Sequence, residues 1–448
     1  MALSGLAIYK LLPKTNCKEC GFPTCLAFAM KLAAKQAELS QCPYVSEEAK
    51  AALEESAAPP IRLVRVGDGD RYVEVGNETV MYRHEKTFYH SPGLFVRVRD
   101  TENAEVIEAK ARQAASYSAE RVGLPLCLSG VAVQADSGDA QKFAAAVAAV
   151  RRGAGDAPMV LMADSVAVLR AGVEKASARP LLYAAERDDW KEMATLAREK
   201  RAALVARAHG DLGELAELTN NLKEAGVEDI VLDPGARSPA ERLRLFTILR
   251  RLALRSNYRA LGYPIISLPG DGNGSADAQV LGAAQDIAKY AGVIVLDEFD
   301  PAAAYILLTL RLNIYTDPQR PIQVTPGLYE IGAVTPTSPL LVTTNFSLTY
   351  FSVSGEVEAS GLPAWLLVAD AEGLSVLTAW AAGKFDAEVI AKAVKQFGVP
   401  DKISHRKIVL PGFVASLSGE LEDELPGWEV LVGPREAIDL PAYLKTWR

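Results

Sequence analysis

The sequence predicts an α/β protein with a small cysteine-rich N-terminal domain, a central (β/α)8 TIM-like barrel and a C-terminal βαβ domain. Three observations support this prediction. Four of the five cysteines fall within the first 42 of 448 residues, eight short apolar segments alternate with amphipathic segments in the middle of the chain, and a second α/β pattern begins near residue 330. We expect domains at 1–57, 61–325 and 330–448, with the Ala-Ala-Pro-Pro segment 57–60 as a stiff junction.

The composition excludes several classes of protein. There are 48 basic and 56 acidic residues, a formal net charge of -8, which argues against nucleic acid or an anionic membrane as the main partner. Five cysteines are too few for a disulfide-stapled secreted fold. We find no basic leader followed by an apolar core, and no uncharged apolar run of ~18 residues. We therefore expect a soluble cytoplasmic protein with reduced thiols.

The N-terminal cysteines Cys17, Cys20, Cys25 and Cys42 have the spacing Cys-x2-Cys-x4-Cys-x16-Cys. Four thiolates that converge from a short loop can hold a [4Fe-4S] cluster. Cys25 precedes a predicted helix over 26–39, whose N-terminus favours an anionic thiolate. A structural zinc site usually contains two similar Cys-x2-Cys pairs, and only one is present here. An iron-sulfur cluster is therefore favoured over zinc, and disulfides are disfavoured in a reducing compartment.

The central region has the alternation that a closed barrel requires. A parallel strand needs a crossover helix to reach its neighbour, and eight is the number of strands at which such a sheet closes. An open doubly wound sheet is the alternative. We expect a capping hairpin within 61–88, and Cys127 to be a buried thiol in a barrel strand. The predicted strands are 94–98, 126–133, 159–163, 181–185, 203–208, 229–232, 265–268 and 293–296, and the predicted helices include 139–151, 188–200, 212–225 and 239–254.

The C-terminal region begins again with a Thr/Ser-rich stretch at 343–351. Predicted strands at 365–369, 408–410 and 430–432 each end at a loop that contains glycine. The predicted helices are 374–382, 386–397, 414–424 and 435–443, with Asp386 as an N-cap and Gly398 as a stop. In such a βαβ domain, ligands bind at the carboxyl ends of the strands.

Three segments together resemble the large subunit of the corrinoid iron-sulfur protein, the gamma subunit of the acetyl-CoA decarbonylase/synthase system. They are KTNCKECGFPTC at 14–25, RHEKTF at 83–88, and 343–358. The resemblance covers the whole chain in order and implies a methyl carrier of the reductive acetyl-CoA (Wood-Ljungdahl) pathway. It also implies that domain 330–448 binds a corrinoid.

In this family the cobalt(I) corrinoid accepts a methyl group from methyltetrahydrofolate, presented by a separate methyltransferase, and donates it to acetyl-CoA synthase/CO dehydrogenase. The [4Fe-4S] cluster returns oxidised cobalt(II) to cobalt(I) with electrons from a low-potential donor. The resemblance further implies a heterodimer with a small subunit that is itself a barrel. Whether the chain should be counted as an enzyme, or as the carrier subunit of a methyltransferase system, stays open.

The resemblance makes the strand-end loops of the C-terminal domain candidate corrinoid contacts, although each residue also fits an ordinary turn or helix cap. The candidates are Phe346, Thr349, Asp370, Ala371, Glu372, Gly373, Ser375, Thr378, Gly412, Pro434, Arg435, Glu436 and Ala437. The chain lacks the Asp-x-His-x-x-Gly motif through which many corrinoid domains supply an axial histidine. We expect His405 to be a solvated loop residue and the corrinoid to be base-off, with no protein histidine ligand.

Two alternative functions stay open at this stage. Asp164, Asp233, Asp297 and Glu298 lie at or just past predicted strand ends, and the glycine-rich segment 270–274 follows the seventh strand, where barrels often bind phosphate. The barrel could therefore be a methyltransferase that acts directly on a methylated pterin. Because the resemblance assigns that reaction to a separate enzyme, we favour a scaffold role. The other alternative is a ferredoxin-like electron-transfer subunit.

Overall fold

A computed structural model describes residues 5–33, 36–46, 49–50, 53, 59–271, 275–317 and 322–447. The chain forms two compact units, Met1–Ala119 with Leu126–Tyr315, and Glu120–Pro125 with Thr316–Arg448. None of the helices in the described ranges is long and apolar enough to cross a membrane.

The N-terminal segment folds into two short helices, α1 (Gly5–Leu11) and α2 (Cys25–Ala33), followed by a 3-10 turn at Leu39–Gln41. The hydroxyl of Thr24 accepts a hydrogen bond from the Ala27 N–H at 3.1 Å and caps α2. Helix α2 therefore starts one residue earlier than predicted. Residues 34–35, 47–48, 51–52 and 54–56, and residues 57–58 of the predicted junction, lie outside the described residues.

The remainder of the first unit alternates strands and helices. Its strands are β1 (Val64–Asp68), β2 (Arg71–Val75), β3 (Gly93–Arg99), β6 (Gly130–Gln134), β7 (Met159–Met162), β8 (Leu181–Ala185), β9 (Ala203–Arg207), β10 (Ile230–Asp233), β11 (Ile265–Ser267) and β12 (Ala291–Leu296). Two further strands, β4 (Ser118–Arg121) and β5 (Leu124–Cys127), together with the turn between them, include the residues 120–125 that belong to the second unit. The helices of the first unit are α3 (Ala104–Ser116), α4 (Ala140–Ala154), α5 (Val166–Val173), α6 (Trp190–Lys200), α7 (Leu212–Glu224), α8 (Pro239–Leu254), α9 (Ala276–Ala288) and α10 (Pro301–Tyr315), with a 3-10 turn at Arg259–Leu261.

The predicted (β/α)8 barrel is confirmed. Eight strands close in the order β3, β6, β7, β8, β9, β10, β11, β12, and each pair is parallel. These strands read as continuous apolar runs because helices cover their outer face and side chains such as Phe95, Val160 and Val293 fill the interior. Strands β1 and β2 form the predicted antiparallel hairpin. The hairpin lies at the end where the barrel strands begin, since the Gly67 N–H donates to the Arg179 carbonyl just before β8.

The prediction for Cys127 was wrong. The apolar run 126–133 contains two elements: β5 pairs with β4 in a separate hairpin, and only β6 joins the barrel. Cys127 ends β5, and its side chain is exposed. A run of apolar residues does not show where the chain leaves one sheet for another. The residue in this run that indicates the start of the barrel strand is Gly130, where a Cβ atom would lie 2.1 Å from the Pro158 carbonyl oxygen.

The second unit contains a five-stranded sheet in the order β13, β15, β14, β16, β17. Its strands are β13 (Gly327–Ile331), β14 (Leu340–Thr344), β15 (Ala364–Ala369), β16 (Lys407–Leu410) and β17 (Glu429–Val432). Its helices are α11 (Ser347–Ser360), α12 (Val376–Ala381), α13 (Ala387–Gln396), α14 (Val399–Lys402), α15 (Ser418–Glu424) and α16 (Leu440–Leu444), with 3-10 turns at Gly412–Leu417 and Ala437–Asp439. The edge strand β13, which the sequence did not predict, runs antiparallel to β15, and the other neighbours are parallel.

This strand order reverses beside β14. The chain passes from β14 to β15 on one side, and later returns to β16 on the other side. At such a switch point the connecting loops diverge and leave a crevice outside the carboxyl ends of the strands, where open α/β sheets bind ligands. Asp386 caps α13 by accepting a hydrogen bond from the Val389 N–H, as the sequence predicted.

Candidate cofactor sites

The cysteine loop of the N-terminal segment is folded tightly before α2. Lys14, Asn16, Lys18 and Gly21 have φ values of 59°, 49°, 67° and 83°, so the backbone turns back on itself repeatedly. The Gly21 N–H closes one of these turns on the Lys18 carbonyl at 2.9 Å. Glycine suits this position because it adopts positive φ without steric cost.

Asn16 ties this loop to Cys25. Its side-chain oxygen accepts the Cys25 N–H at 2.8 Å, and its own N–H points at the Cys25 sulfur at 3.4 Å. Hydrogen bonds to sulfur stabilise the thiolate form and tune the potential of an iron-sulfur cluster. Sequence reasoning missed Asn16, and only its place directly before Cys17 in the motif pointed to it.

The four cysteines differ in their exposure. Cys25 and Cys42 are buried, Cys20 is half-buried, and Cys17 is exposed. Cys20, Cys25 and Cys42 belong to one small apolar core. This core also contains Phe22 and Phe28, whose ring centroids are 5.5 Å apart. The loop thus brings Cys20, Cys25 and Cys42 to one core and leaves Cys17 at its solvent edge.

The donors suit an iron-sulfur cluster chemically, because they are all thiols and three of them lie in apolar surroundings. Across the described ranges, no group of three or more His, Cys, Asp or Glu side chains is close enough to hold a metal ion. The sulfur atoms must therefore turn towards one another to share a cofactor.

In the second unit, a cavity of about 390 Å³ opens at the carboxyl ends of β14, β16 and β17, on the side where the strand order reverses. Seven of the thirteen residues predicted as corrinoid contacts line it: Phe346, Thr349, Ser375, Pro434, Arg435, Glu436 and Ala437. The wall is mainly apolar and includes residues that the sequence did not single out, among them Val342, Leu377 and Phe413. A mainly apolar concave surface with a few polar groups is typical of a cofactor site.

The other six predicted contacts do not line this cavity. Four of them form the loop 370–373, which is held by Asn345 at the end of β14. The Asn345 side-chain oxygen accepts the N–H groups of Ala371 and Gly373, both at 2.9 Å, and its amide nitrogen donates to Asp370 at 3.0 Å. Glu372 is exposed and pairs with Lys384 at 2.6 Å.

Thr378 and Gly412 are placed next to the cavity wall. The Thr378 hydroxyl lies 3.0 Å from the hydroxyl of Ser375, which is in the wall. Gly412 packs against the loop that follows β17, where a Cβ atom would meet the Gly433 carbonyl oxygen at 2.6 Å. Glycine is required there because the two wall loops approach so closely.

The hydroxyl of Thr343 shows that the cavity offers a hydrogen-bonding group to a ligand with polar groups at its edge. Thr343 is 1% exposed and lines the cavity, and its Oγ1 has no hydrogen-bond partner among the described residues. A buried polar atom without a partner is costly, so a ligand that hydrogen-bonds there would be favoured. A corrin ring fits this wall, since it is a broad apolar macrocycle bordered by amide side chains.

The prediction that His405 is a solvated loop residue was wrong. Its Nε2 lies 2.8 Å from the Ser338 carbonyl oxygen, and its Nδ1 accepts the Lys407 N–H at 3.2 Å. Its ring also packs edge-on against Trp447, with centroids 5.2 Å apart. These contacts come from residues distant in the sequence, and they occupy both ring nitrogens.

At the mouth of the barrel, the carboxylates are already paired. The Arg97 guanidinium reaches Asp271 at 2.6 Å and also bonds to Asp297. Burial lowers the pKa of Arg97, but these two carboxylates outweigh it, and the pKa lies above its ordinary value.

Asp233 forms a second such cluster. It accepts the Tyr183 hydroxyl at 2.6 Å and pairs with Arg237 through both carboxylate oxygens. Burial raises the pKa of Tyr183 far above its ordinary range, so this hydroxyl stays protonated.

The remaining barrel candidates, Asp164 and Glu298, differ in their surroundings. Asp164 is 91% exposed, with Arg207 at 3.5 Å. Glu298 lines a cleft beside α9 and α10 that Asp297 of the first cluster and Gly270 also line. Residues 272–274 of the predicted phosphate loop lie outside the described residues.

Comparison with known proteins decides the family. The family described as CO dehydrogenase/acetyl-CoA synthase delta subunit matches residues 63–444, and an Fe-S cluster family matches residues 12–44. The "Corrinoid/iron-sulfur protein large subunit" of Moorella thermoacetica is 46% identical over 448 residues, which covers 99% of each chain. The chain belongs to the corrinoid/iron-sulfur protein large-subunit family.

Two archaeal members of this family also match along their whole length. The "Acetyl-CoA decarbonylase/synthase complex subunit gamma 2" of Methanosarcina thermophila is 37% identical, covering 99% of this chain and 98% of that protein. The gamma subunit of Methanopyrus kandleri is 35% identical, covering 99% and 97%. The family that the sequence suggested is thus confirmed.

Solved structures resemble part of the chain. Dihydropteroate synthase (FolP) of Thermus thermophilus covers 57% of this chain and 100% of its own, with a TM-score of 0.40 and 17% identity. The 7,8-dihydropteroate synthase of Vibrio fischeri covers 52% and 98%, with a TM-score of 0.39 and 11% identity.

Proposed function

We propose that this chain is the cofactor-bearing large subunit of a methyl carrier in the reductive acetyl-CoA pathway. The C-terminal unit would hold a corrinoid in the cavity at the ends of β14, β16 and β17, and the cysteine loop would hold a [4Fe-4S] cluster. The observation that carries this proposal is the match to corrinoid/iron-sulfur large subunits over 99% of the chain. The cavity at the switch point supports it.

The corrinoid would supply a cobalt ion that accepts and releases a methyl group. The apolar wall would pack on the macrocycle, and Thr343, Thr349 and Ser375 would offer hydroxyls to its peripheral amides. The loop 370–373 would act indirectly, since Asn345 holds it in place beside the end of β15. We assign it a positioning role.

We propose a base-off corrinoid without a protein histidine ligand. The support comes from His405, whose two ring nitrogens are both engaged in hydrogen bonds within the unit. Since no axial imidazole need be released, reduction of the cofactor would be easier and would suit a low-potential electron source.

The mouth of the cavity suits a bound cofactor that several partners must reach. Its rim carries the exposed apolar side chains Leu348, Leu377 and Phe413, which are 53%, 44% and 39% exposed. Apolar side chains grouped around a cavity mark an interaction site. We propose that the small subunit covers part of this side in the heterodimer, and that the methyltetrahydrofolate-dependent methyltransferase and acetyl-CoA synthase/CO dehydrogenase approach it in turn.

The cysteine loop would bind the cluster at the edge of its small apolar core. Burial of Cys25 and Cys42, and the Asn16 hydrogen bonds, would anchor one side of the cluster while Cys17 leaves the other accessible. The cluster would supply single electrons that restore the reduced corrinoid, and a low-potential donor would reload it.

A methyl-transfer experiment tests this proposal. The heterodimer, purified anaerobically and reduced, is mixed with isotope-labelled methyltetrahydrofolate and the separate methyltransferase. We expect the label to appear on the heterodimer only when that methyltransferase is present, and to pass to acetyl-CoA synthase when it is added. Label transfer without the methyltransferase would instead support direct action of the barrel on the pterin.

A further inference from the structure

We propose that the exposed face of the cysteine loop, formed by Lys14, Cys17 and Lys18, is the docking surface for an acidic redox protein that reduces the cluster. We call it the Cys17 face. This inference rests on the proposed function, because it needs a cluster in the loop. It adds where the electron donor binds and what charge that donor carries.

The exposure of the cysteines indicates the side from which an electron donor would approach the cluster. Cys25, the first residue of α2, and Cys42 are buried in the apolar core, whereas Cys17 is exposed. Electron transfer slows steeply with distance, so a donor gains most by approaching the accessible edge.

The charge of the face indicates the chemistry of the partner. The face carries Lys14 and Lys18 beside the exposed Glu19, and residues 5–33 and 36–46 together contain four lysines, Lys10, Lys14, Lys18 and Lys31, against Glu19 and Glu38, an excess of two positive charges in a chain of net charge -8. Within the described part of the chain, neither Lys14 nor Lys18 forms an ion pair, and Lys14 lies 5.8 Å over the Tyr9 ring. Glu19, between the cysteines, accepts the Tyr44 hydroxyl at 2.8 Å.

The backbone holds these lysines in place. Lys14 and Lys18 both have positive φ, and they flank Asn16, which is bonded to Cys25. A positive surface on a preformed loop attracts an anionic partner at long range and orients it. The same lysines would also lie near an anionic cluster, so the experiment must separate partner binding from an effect on the cluster.

The test measures binding to the purified holo heterodimer. The probe is a small acidic ferredoxin with two [4Fe-4S] clusters, and its dissociation constant is measured by calorimetry at several salt concentrations. The variants are Lys14→Glu with Lys18→Glu, the milder pair Lys14→Gln with Lys18→Gln, and the control Lys31→Glu. Lys31 lies in the last turn of α2 and bonds to Gln36, so Lys31→Glu makes the same change of charge outside the loop that contains Lys14, Cys17 and Lys18.

We expect the Glu pair to weaken ferredoxin binding on the order of tenfold or more, and the Gln pair less, with a flatter salt dependence in both. The Lys31→Glu variant should bind within about twofold of the unchanged protein. Carbodiimide cross-linking with mass spectrometry should join ferredoxin carboxylates to Lys14 or Lys18. Iron content should be equal in all variants.

Equal loss of affinity in Lys31→Glu, or cross-links elsewhere, would overturn the proposal. An unchanged dissociation constant with a shifted cluster midpoint potential would show that the lysines serve only the cluster, and would also overturn it. Absence of iron from the unchanged heterodimer would count against the proposed function itself, which keeps the two failures distinct.

Discussion

Asn345, directly after strand β14, donates a hydrogen bond to Asp370 at the end of strand β15 (3.0 Å). The two strands are parallel neighbours, with Thr344 opposite Ala369. The same amide accepts the N–H groups of Ala371 and Gly373. One buried side chain therefore fixes the conformation of the loop beside the proposed corrinoid cavity.

Replacing Asn345 by Ala should loosen this loop. Two buried N–H groups would lose their acceptor, and the free energy of unfolding should fall by about 2–6 kcal/mol, since each such group costs about 1–3 kcal/mol. Corrinoid release from the heterodimer should become faster. Denaturant unfolding and release into a corrinoid scavenger measure the two effects.

The matched control is Asn103→Ala, because the Asn103 side chain makes no capping hydrogen bond at the start of α3. If Asn345→Ala unfolds and releases corrinoid like this control, the positioning role of Asn345 is wrong.

Thr343→Val tests the orphan hydroxyl in the cavity. If the corrinoid bonds to Oγ1, its affinity should fall about 2- to 12-fold, the equivalent of one hydrogen bond of about 0.5–1.5 kcal/mol. The fold should not lose stability, because that hydroxyl has no partner within the described residues. Corrinoid titration followed by visible absorption measures the affinity.

Thr344→Val is its matched control. The Thr344 hydroxyl is also buried and without a partner among the described residues, but successive side chains of a strand face opposite sides, and Thr344 does not line the cavity. Equal affinities for Thr343→Val and Thr344→Val would contradict the proposed placement of the ring.

Replacing Cys20 by Ala should remove or convert the cluster. Reductive reactivation of the oxidised corrinoid should then fail, while methyl transfer from corrinoid that is already reduced should survive. Anaerobic iron analysis and separate assays of the two reactions test this. Cys127→Ala is the control, because this thiol is exposed on the β4–β5 hairpin, outside the motif. Equal loss of both reactions in Cys20→Ala would show that the cluster is structural or part of methyl transfer.

Asp233→Asn separates a scaffold role of the barrel from catalysis. Asp233 is 2% exposed and bonded to Tyr183 and Arg237, so the change should cost about 1–3 kcal/mol of stability. Methyl transfer, measured well below the unfolding temperature, should stay within about twofold of the unchanged protein, since a loss of about 0.4 kcal/mol is about a factor of two. The exposed carboxylate Asp164, changed to Asn, is the control for stability. A large loss of methyl transfer in folded Asp233→Asn would favour a barrel methyltransferase.

Features with a regular period along the chain could be predicted from the sequence. The eight barrel strands and the helix over 239–254 follow from apolar runs and from the capping box of Ser238 and Glu241. Contacts between residues distant in the sequence could not be predicted. His405 depends on Ser338 and Trp447, and Asn345 depends on a loop 25 residues later.

The same holds for the predicted corrinoid contacts: what depends on the local strand pattern could be predicted, and what depends on contacts between distant residues could not. Residues directly after the predicted strands 365–369, 408–410 and 430–432 could be placed at the carboxyl edge of the sheet, because the strand pattern determines that position. Which of the predicted residues line the cavity and which support its wall could not be predicted, because this depends on how closely Gly412 lets two loops approach each other. The exposure of Cys127 was missed because a hairpin strand and a barrel strand have the same apolar pattern.

Metal analysis of the anaerobically purified heterodimer, with its visible spectrum, tests the central claim most directly. The account predicts about four irons, as one [4Fe-4S] cluster requires, and about one cobalt per large subunit, with the spectrum of a base-off corrinoid. Iron without cobalt, in protein from a corrinoid-replete source, would contradict it and would favour an electron-transfer subunit.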